Sequence, residues 1–236
     1  MPEIDDIQSA LRSARSSVDL TPLTIGFDQR ETEETIASLT APEKGRQVPF
    51  STAATQMRVL AQGKDKILYH LDSNRASVYM TAQNSLMNQR ASNLKKEIEF
   101  TKNLGQAVLE KGIVTESNLA TNILPAGRDS TGREYWETAK ANADLEASMR
   151  GKDVSFHTRS SYCRQFINGM SNLHLVNRIH GDLKPENCLC FEDGTLRVAD
   201  FGKGCIVEGD TAIPGYQGNT RFGPPEDAKS KSGDIY

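Results

Sequence analysis

The sequence predicts a mixed α+β chain, with a strand-rich part leading into a helix-led part. Three observations carry that expectation. From Met57 to Met80, short apolar and polar runs are broken by Asp72-Ser73-Asn74, good turn chemistry, and read as strand, turn, strand, turn, strand. From Ser85 to Glu110, Met87, Leu94 and Ile98 recur at helical spacing, with Phe100 and Leu104 as a second apolar pair. From Ser160 onward, Tyr162, Phe166, Met170 and Leu173 follow the i, i+4, i+8, i+11 stripe of a buried helix. After it, C-L-C-F-E-D-G-T-L-R-V-A-D reads as a hairpin turning at Asp193-Gly194.

At 236 residues the chain has room for one large domain or two lobes. Its hydrophobic fraction of 37% is low, so part of it is expected outside the core. Residues 1–50 fit that description. They are polar, rich in Ser, Thr, Glu and Arg, and read as a flexible leader in which Ile4, Ile7 and Leu11 are spaced for one short amphipathic helix. Between the long helices, Ile113 to Val114 and Leu119 to Leu124 read as short strands, and a helix is expected around Glu134 to Met149.

The net charge of −3 gives no argument for nucleic acid or an anionic membrane as partner. No run of about 18 apolar residues is present to span a bilayer. The N-terminus lacks the apolar segment of a Sec-type signal peptide. A cytoplasmic site is therefore expected. The four cysteines, Cys163, Cys188, Cys190 and Cys205, lack paired C-x-x-C spacing and read as buried or half-buried free thiols.

The chemistry concentrates between Ile179 and Lys203. Asp182 lies in a loop, Lys184 follows two residues later, and Asn187 five later. Asp200 precedes Phe201-Gly202 beyond the hairpin. Oxygen ligands from Asp200 and Asn187 suit Mg²⁺, a hard cation whose shell is completed by waters and phosphates. Asp182 is placed to accept a proton from a hydroxyl, and Lys184 to offset charge on a transferring phosphoryl group. Phosphoryl transfer asks for this set, because its catalysis is mostly positioning plus electrostatics.

His180-Gly181-Asp182-Leu183-Lys184-Pro185-Glu186-Asn187 resembles the catalytic loop of eukaryotic-type serine/threonine protein kinases, and Asp200-Phe201-Gly202 resembles their metal-binding triplet. The resemblance is dense from about residue 160 and weaker back to 57. It implies a two-lobed α+β fold: residues 51–127 as an N-terminal lobe, and 128–236 as a C-terminal lobe. It implies ATP and Mg²⁺ as cofactors, a protein substrate, and Lys184 as the residue favouring Ser/Thr over Tyr. Gly218 to Glu226 is similar to the end of an activation segment, and Asp234 to the start of the next long helix, whose Asp anchors the catalytic loop. The chain stops there, so the C-terminal lobe is expected to be truncated, as in reduced kinases among bacterial effectors, a resemblance that implies export into a host cell as the other location. The stripe from Tyr162 to Leu173 is then expected to lack its covering helix, favouring self-association or a host-protein partner.

The sequence also departs from the family. Of the three glycines over the ATP phosphates only Gly63 remains; Ala61 and Lys66 take the other places. The lysine of the third strand falls on Met80. Lys64 or Lys66 is expected to supply the missing cation, Lys66 the better placed, with Glu97 of K-K-E-I-E-F as its partner. The interlobe hinge is expected near Ile123 to Gly127. Gly181 replaces the arginine that receives a phosphorylated activation loop, so no such switch is expected. Two further readings compete: a pseudokinase or binding module, favoured by Met80, and a small-molecule kinase, which K-P-E-N and D-F-G oppose.

Overall fold

The computed structural model describes residues 57–63, 66–71, 74–83, 88–113, 117–129, 132–150, 154–209, 211–215, 218–219, 221–225 and 228–234. The expected leader, Lys64 and the Asp72-Ser73 turn lie outside these residues. The first part is a five-stranded antiparallel sheet in the order β1-β2-β3-β5-β4. Its strands are β1 (Met57–Gln62), β2 (Lys66–Leu71), β3 (Asn74–Ala82), β4 (Ile123–Arg128) and β5 (Glu134–Ala139). The Gly63 N–H donates to the Lys66 carbonyl at 2.9 Å and closes the first hairpin.

One helix joins the two parts. Helix α1 (Asn88–Glu110) buries Leu94, Ile98, Leu104 and Val108 along one stripe. Leu94 and Ile98 pack under the sheet with Met80 and Ile123. Leu104 and Val108 pack instead with Leu119, Met170, Leu173, Val198 and Phe201. The i, i+4 repeat therefore serves two cores end to end.

The second part begins with β6 (Ala143–Asp144) and the short α2 (Leu145–Met149), capped by the Asp144 carboxylate, which accepts from Ala147 N–H. Helix α3 (Phe156–Leu175) starts at Ser155, whose hydroxyl accepts from Thr158 N–H. Then come β7 (Arg178–Ile179), a 3₁₀ turn Pro185–Asn187, β8 (Cys188–Cys190) and β9 (Leu196–Val198). Strand β8 pairs with β6 and β9. The last strands are β10 (Cys205–Ile206), paired with β7, and β11 (Ile213–Pro214), paired with β12 (Ala228–Lys229). Among the described residues the chain thus has three α-helices and a mixed α+β architecture.

The structure corrects several expectations. Glu134 to Ala139 is strand β5, not helix, because Tyr135, Trp136 and Thr138 favour a pleated surface and Met80 pairs opposite Trp136. Only Leu145–Met149 of the expected helix is helical. The expected hinge at 123–127 is β4, an edge strand of the sheet, which runs on past the boundary placed at 127. The backbone crossing out of the sheet is 140–142: Lys140 N–H donates back to Ala76 and Asn142 N–H onward to Cys190, both at 2.8 Å. Ile113 has no regular structure, and Leu119 makes a single parallel bridge to Val198. The α3 stripe is not bare, since Met170 and Leu173 are buried in the core, and Tyr162 and Phe166 pack on Cys188, Cys190 and Leu196. The exposed apolar residues of α3 are Phe156, Ile167 and Leu175. Cys163 is exposed, whereas burial pushes the Cys188 thiol up to about 12.

A buried polar knot fixes α3 against β9. Asn118, at φ +54°, donates to Leu196 O at 2.8 Å and to Gln165, and accepts from Asn168. This close approach requires glycine at position 169, where a Cβ would lie 2.7 Å from the Asn118 carbonyl oxygen. Gly169→Ala gains about 1 kcal/mol of helix propensity but forces a backbone clash. Overpacking of this kind costs about 1–3 kcal/mol. A net loss of up to about 2 kcal/mol is expected in urea unfolding, and a variant more stable than wild type would show that the helix yields freely.

Candidate active site

The ladder geometry explains where the site's cation comes from. Lys66 pairs with Ala82 and Leu68 with Met80, so the side chains of Lys66, Leu68, Met80 and Ala82 share one face. Met80 is buried in the core beneath that face. Lys66, at the open end of β2, reaches past it. Its Nζ lies 2.5 Å from Glu97 Oε1 and 3.1 Å from Asp200 Oδ1. Burial works against the lysine's charge, but Glu97 and then Asp200 outweigh it and hold its pKa above the ordinary value. Enclosure alone would raise the Asp200 pKa. The Lys66 ammonium overrides that and holds the carboxyl below its usual range.

Glu97 is fixed by α1, one turn before Thr101, whose hydroxyl donates to the Glu97 carbonyl at 2.7 Å. Asp200 takes the left-handed conformation, φ +65°, which Asp tolerates better than most residues. Phe201 is fully buried beside it, in tilted ring contacts with Phe100 and His180. Gly204 is obligatory here: a Cβ would sit 2.6 Å from the Phe100 ring.

The residues of the loop from His180 to Asn187 are held by their backbones. Asp234 accepts from His180 N–H at 2.6 Å and from Gly181 N–H at 2.9 Å, and lies 3.2 Å from the His174 ring. His180 is fully buried, which depresses its pKa against the pull of the Ala199 carbonyl. It is therefore neutral at pH 7. Its Nε2–H donates to Ala199 O at 2.9 Å, leaving Nδ1 to accept Asp182 N–H at 3.3 Å. Asn187 donates its amide N–H to the Asp182 carbonyl at 2.8 Å, which turns its oxygen the other way. The Asn187 carbonyl in turn accepts from Ala199 N–H, so the β8–β9 ladder carries Asn187 beside Asp200.

A half-exposed carboxylate and an amide oxygen fit a hard divalent cation that keeps other oxygen ligands. Among the described residues no group of three or more His, Cys, Asp or Glu side chains is placed to hold a metal. Such a cation would thus rest on Asp200, Asn187 and its substrate's oxygens. Gly63 contributes turn geometry, its N–H being used by Lys66 O. Lys184 is half-buried, and its charge is the last of those favouring ionised Asp200.

The protein kinase domain family matches residues 76–234. The chain belongs to that family. Human rhodopsin kinase GRK1 is 38% identical over 148 residues, 56% of this chain and 25% of that protein. The Caenorhabditis elegans calcium/calmodulin-dependent protein kinase kinase is 37% identical over 76 residues, 32% of this chain and 14% of that protein. Xenopus laevis serine/threonine-protein kinase stk11 is 39% identical over 83 residues, 34% of this chain and 19% of that protein. The match therefore spans a quarter or less of the length of these relatives.

This kinase domain holds contacts that sequence reasoning missed. Asp182 Oδ2 pairs with Lys203 Nζ at 3.1 Å, and Oδ1 accepts Asn219 N–H at 2.7 Å. Lys229 Nζ donates to the Lys203 carbonyl at 3.1 Å. The only sequence signal for Lys203 is its place directly after D-F-G. Among the described residues no helix is long and apolar enough to cross a membrane.

The buried His180 has a pH consequence. Its folded pKa is depressed, so its stabilising contribution is complete above the unfolded value of about 6.5 and is lost as pH falls below it. One proton makes a slope of at most about 1.4 kcal/mol per pH unit. Urea unfolding at pH 7.5 and about 5.5 is expected to show a larger acid loss for wild type than for His180→Gln. Equal losses would mean that another group sets the acid limit.

Proposed function

We propose that the chain is an ATP- and Mg²⁺-dependent serine/threonine protein kinase. The observation that carries this reading is Lys66 Nζ set between Glu97 and Asp200, which supplies a cation where Met80 supplies none. Bound Mg²⁺ would neutralise phosphate charge and polarise the group transferred. Asp200 and Asn187 would hold the metal, and Lys66 would hold the phosphates from the sheet side. Asp182 orients the acceptor and takes its proton, while Lys184 offsets charge on the γ-phosphoryl group. In balance, the acceptor oxygen bonds to the γ-phosphorus, the bond to the ADP oxygen breaks, and the hydroxyl proton passes to Asp182. The relatives named as serine/threonine kinases support a protein hydroxyl as acceptor.

The competing reading is a domain that keeps the fold and binds a partner without transferring phosphate. It draws on Met80 and on the single-glycine turn whose N–H is already bonded. Labelled ATP with Mg²⁺ and a generic protein substrate separates the two. Asp200→Ala and Asp182→Ala are each expected to remove transfer while leaving the fold largely intact. Lys66→Met is expected to cost about 10²-fold in rate, about 3 kcal/mol of transition-state stabilisation. Wild-type rates in both aspartate variants would sink the kinase reading.

A further inference from the structure

The proposed base is held by more than its own loop. Both carboxylate oxygens of Asp182 carry a donor, Lys203 Nζ on Oδ2 and Asn219 N–H on Oδ1. Two directional donors fix the plane of the carboxylate. Each oxygen keeps a second lone pair, so a substrate hydroxyl can still donate to it. The Asp182 side chain is 13% exposed and that of Lys203 is 39% exposed. A lysine so exposed gives up side-chain entropy to hold one geometry, and a fixed backbone lowers that cost.

Here the backbone is held from both sides. Gly204 N–H donates to Phe201 O at 2.9 Å, making a tight turn with Lys203 inside it and buried Phe201 as its anchor. Lys229 Nζ then bonds the Lys203 carbonyl. Lys229 gets there because position 181 has no side chain. A Cβ on Gly181, at φ +74°, would meet the Lys203 carbonyl oxygen at 2.8 Å and Lys229 Cδ at 3.5 Å. The stem of Lys229 fills that space from β12, which is placed by its ladder to β11.

We propose that Lys203 and Lys229 form a two-lysine brace that sets the working orientation of Asp182. Lys203 is the member that touches the base, and Lys229 is the positioning residue behind it. The proposal rests on the kinase reading above. It makes the order of the active site depend on the β11–β12 ladder and a lysine stem, with no phosphate group required. A misplacement of about 1 Å at a reacting group can cost on the order of 10²-fold in rate.

The test is steady-state kinetics of the full chain, with ATP and protein substrate varied separately. Lys203→Met is expected to lower kcat about 10²-fold, and Lys229→Met about tenfold, with KM for ATP unchanged within about twofold. Lys229→Arg, which keeps the donor and the stem, should recover most of that loss. Since Lys229 acts through Lys203, the double variant should be no slower than Lys203→Met alone. If Lys229→Met does not fold, Lys229→Gln carries the same comparison. A wild type that transfers no phosphate overturns the kinase reading and, with it, the catalytic role of the brace. An active wild type whose Lys229 variants keep full kcat, or whose double variant shows the product of the two losses, overturns the brace alone. A rise in kcat for Lys203→Met also overturns it, because the pair would then be a latch over the base.

Discussion

The ion triad of Lys66, Glu97 and Asp200 is the interaction on which the site depends. It joins three segments distant in sequence: the start of β2, the middle of α1 and the loop after β9. Glu97 and Lys66 are the more enclosed partners, so losing either would leave the other's charge with poor solvation, while Asp200 keeps an open side. The triad also needs exact aim from elements that carry no charge. Glu97 faces it only because Leu94, Ile98 and Leu104 fix the rotation of α1. Asp200 faces it only because Phe201 is locked among Phe100, His180 and Leu104, in a backbone conformation that few residues other than glycine accept.

The cation on β2 follows from the two-residue period of a strand. Met80 points into the core and makes its contacts with Leu94, Ile98 and Ile123, so that position serves packing. Lys66 stands on the same face two ladder steps along from Leu68, at the sheet's end, where its stem lies over apolar surface and its ammonium meets the acids. The displaced charge is thus a matter of register. A lysine one residue to either side would point to the opposite face.

Much of this was legible in the sequence because it is local. The stripes of α1 and α3, the turn at Asp193-Gly194 and the order of residues from His180 to Asn187 are short-range patterns. Lys66 as the inward lysine was legible from its distance to the strand start. Strand β5 was not, because E-Y-W-E-T-A carries two glutamates that break the alternation, and its aromatic residues gain their preference only once β3 lies beside them. The Lys203–Asp182 and Lys229–Lys203 contacts join residues 21 and 26 positions apart through loops without periodicity, and no local rule reports them. The crossing at 140–142 was misplaced for the same reason, since it is defined by where β5 ends.

Lys66 has two ends, and both are in use. Its carbonyl closes the Gly63 turn at the hairpin tip, and its ammonium sits on Asp200. The outermost turn of the sheet and the acid that follows β9 are therefore mechanically in series through one side chain. A displacement at the tip thus has a direct route to the acid along that side chain. A spectroscopic label on the outer face of that hairpin would consequently read the state of the Asp-Phe-Gly segment from more than a hundred residues away in sequence.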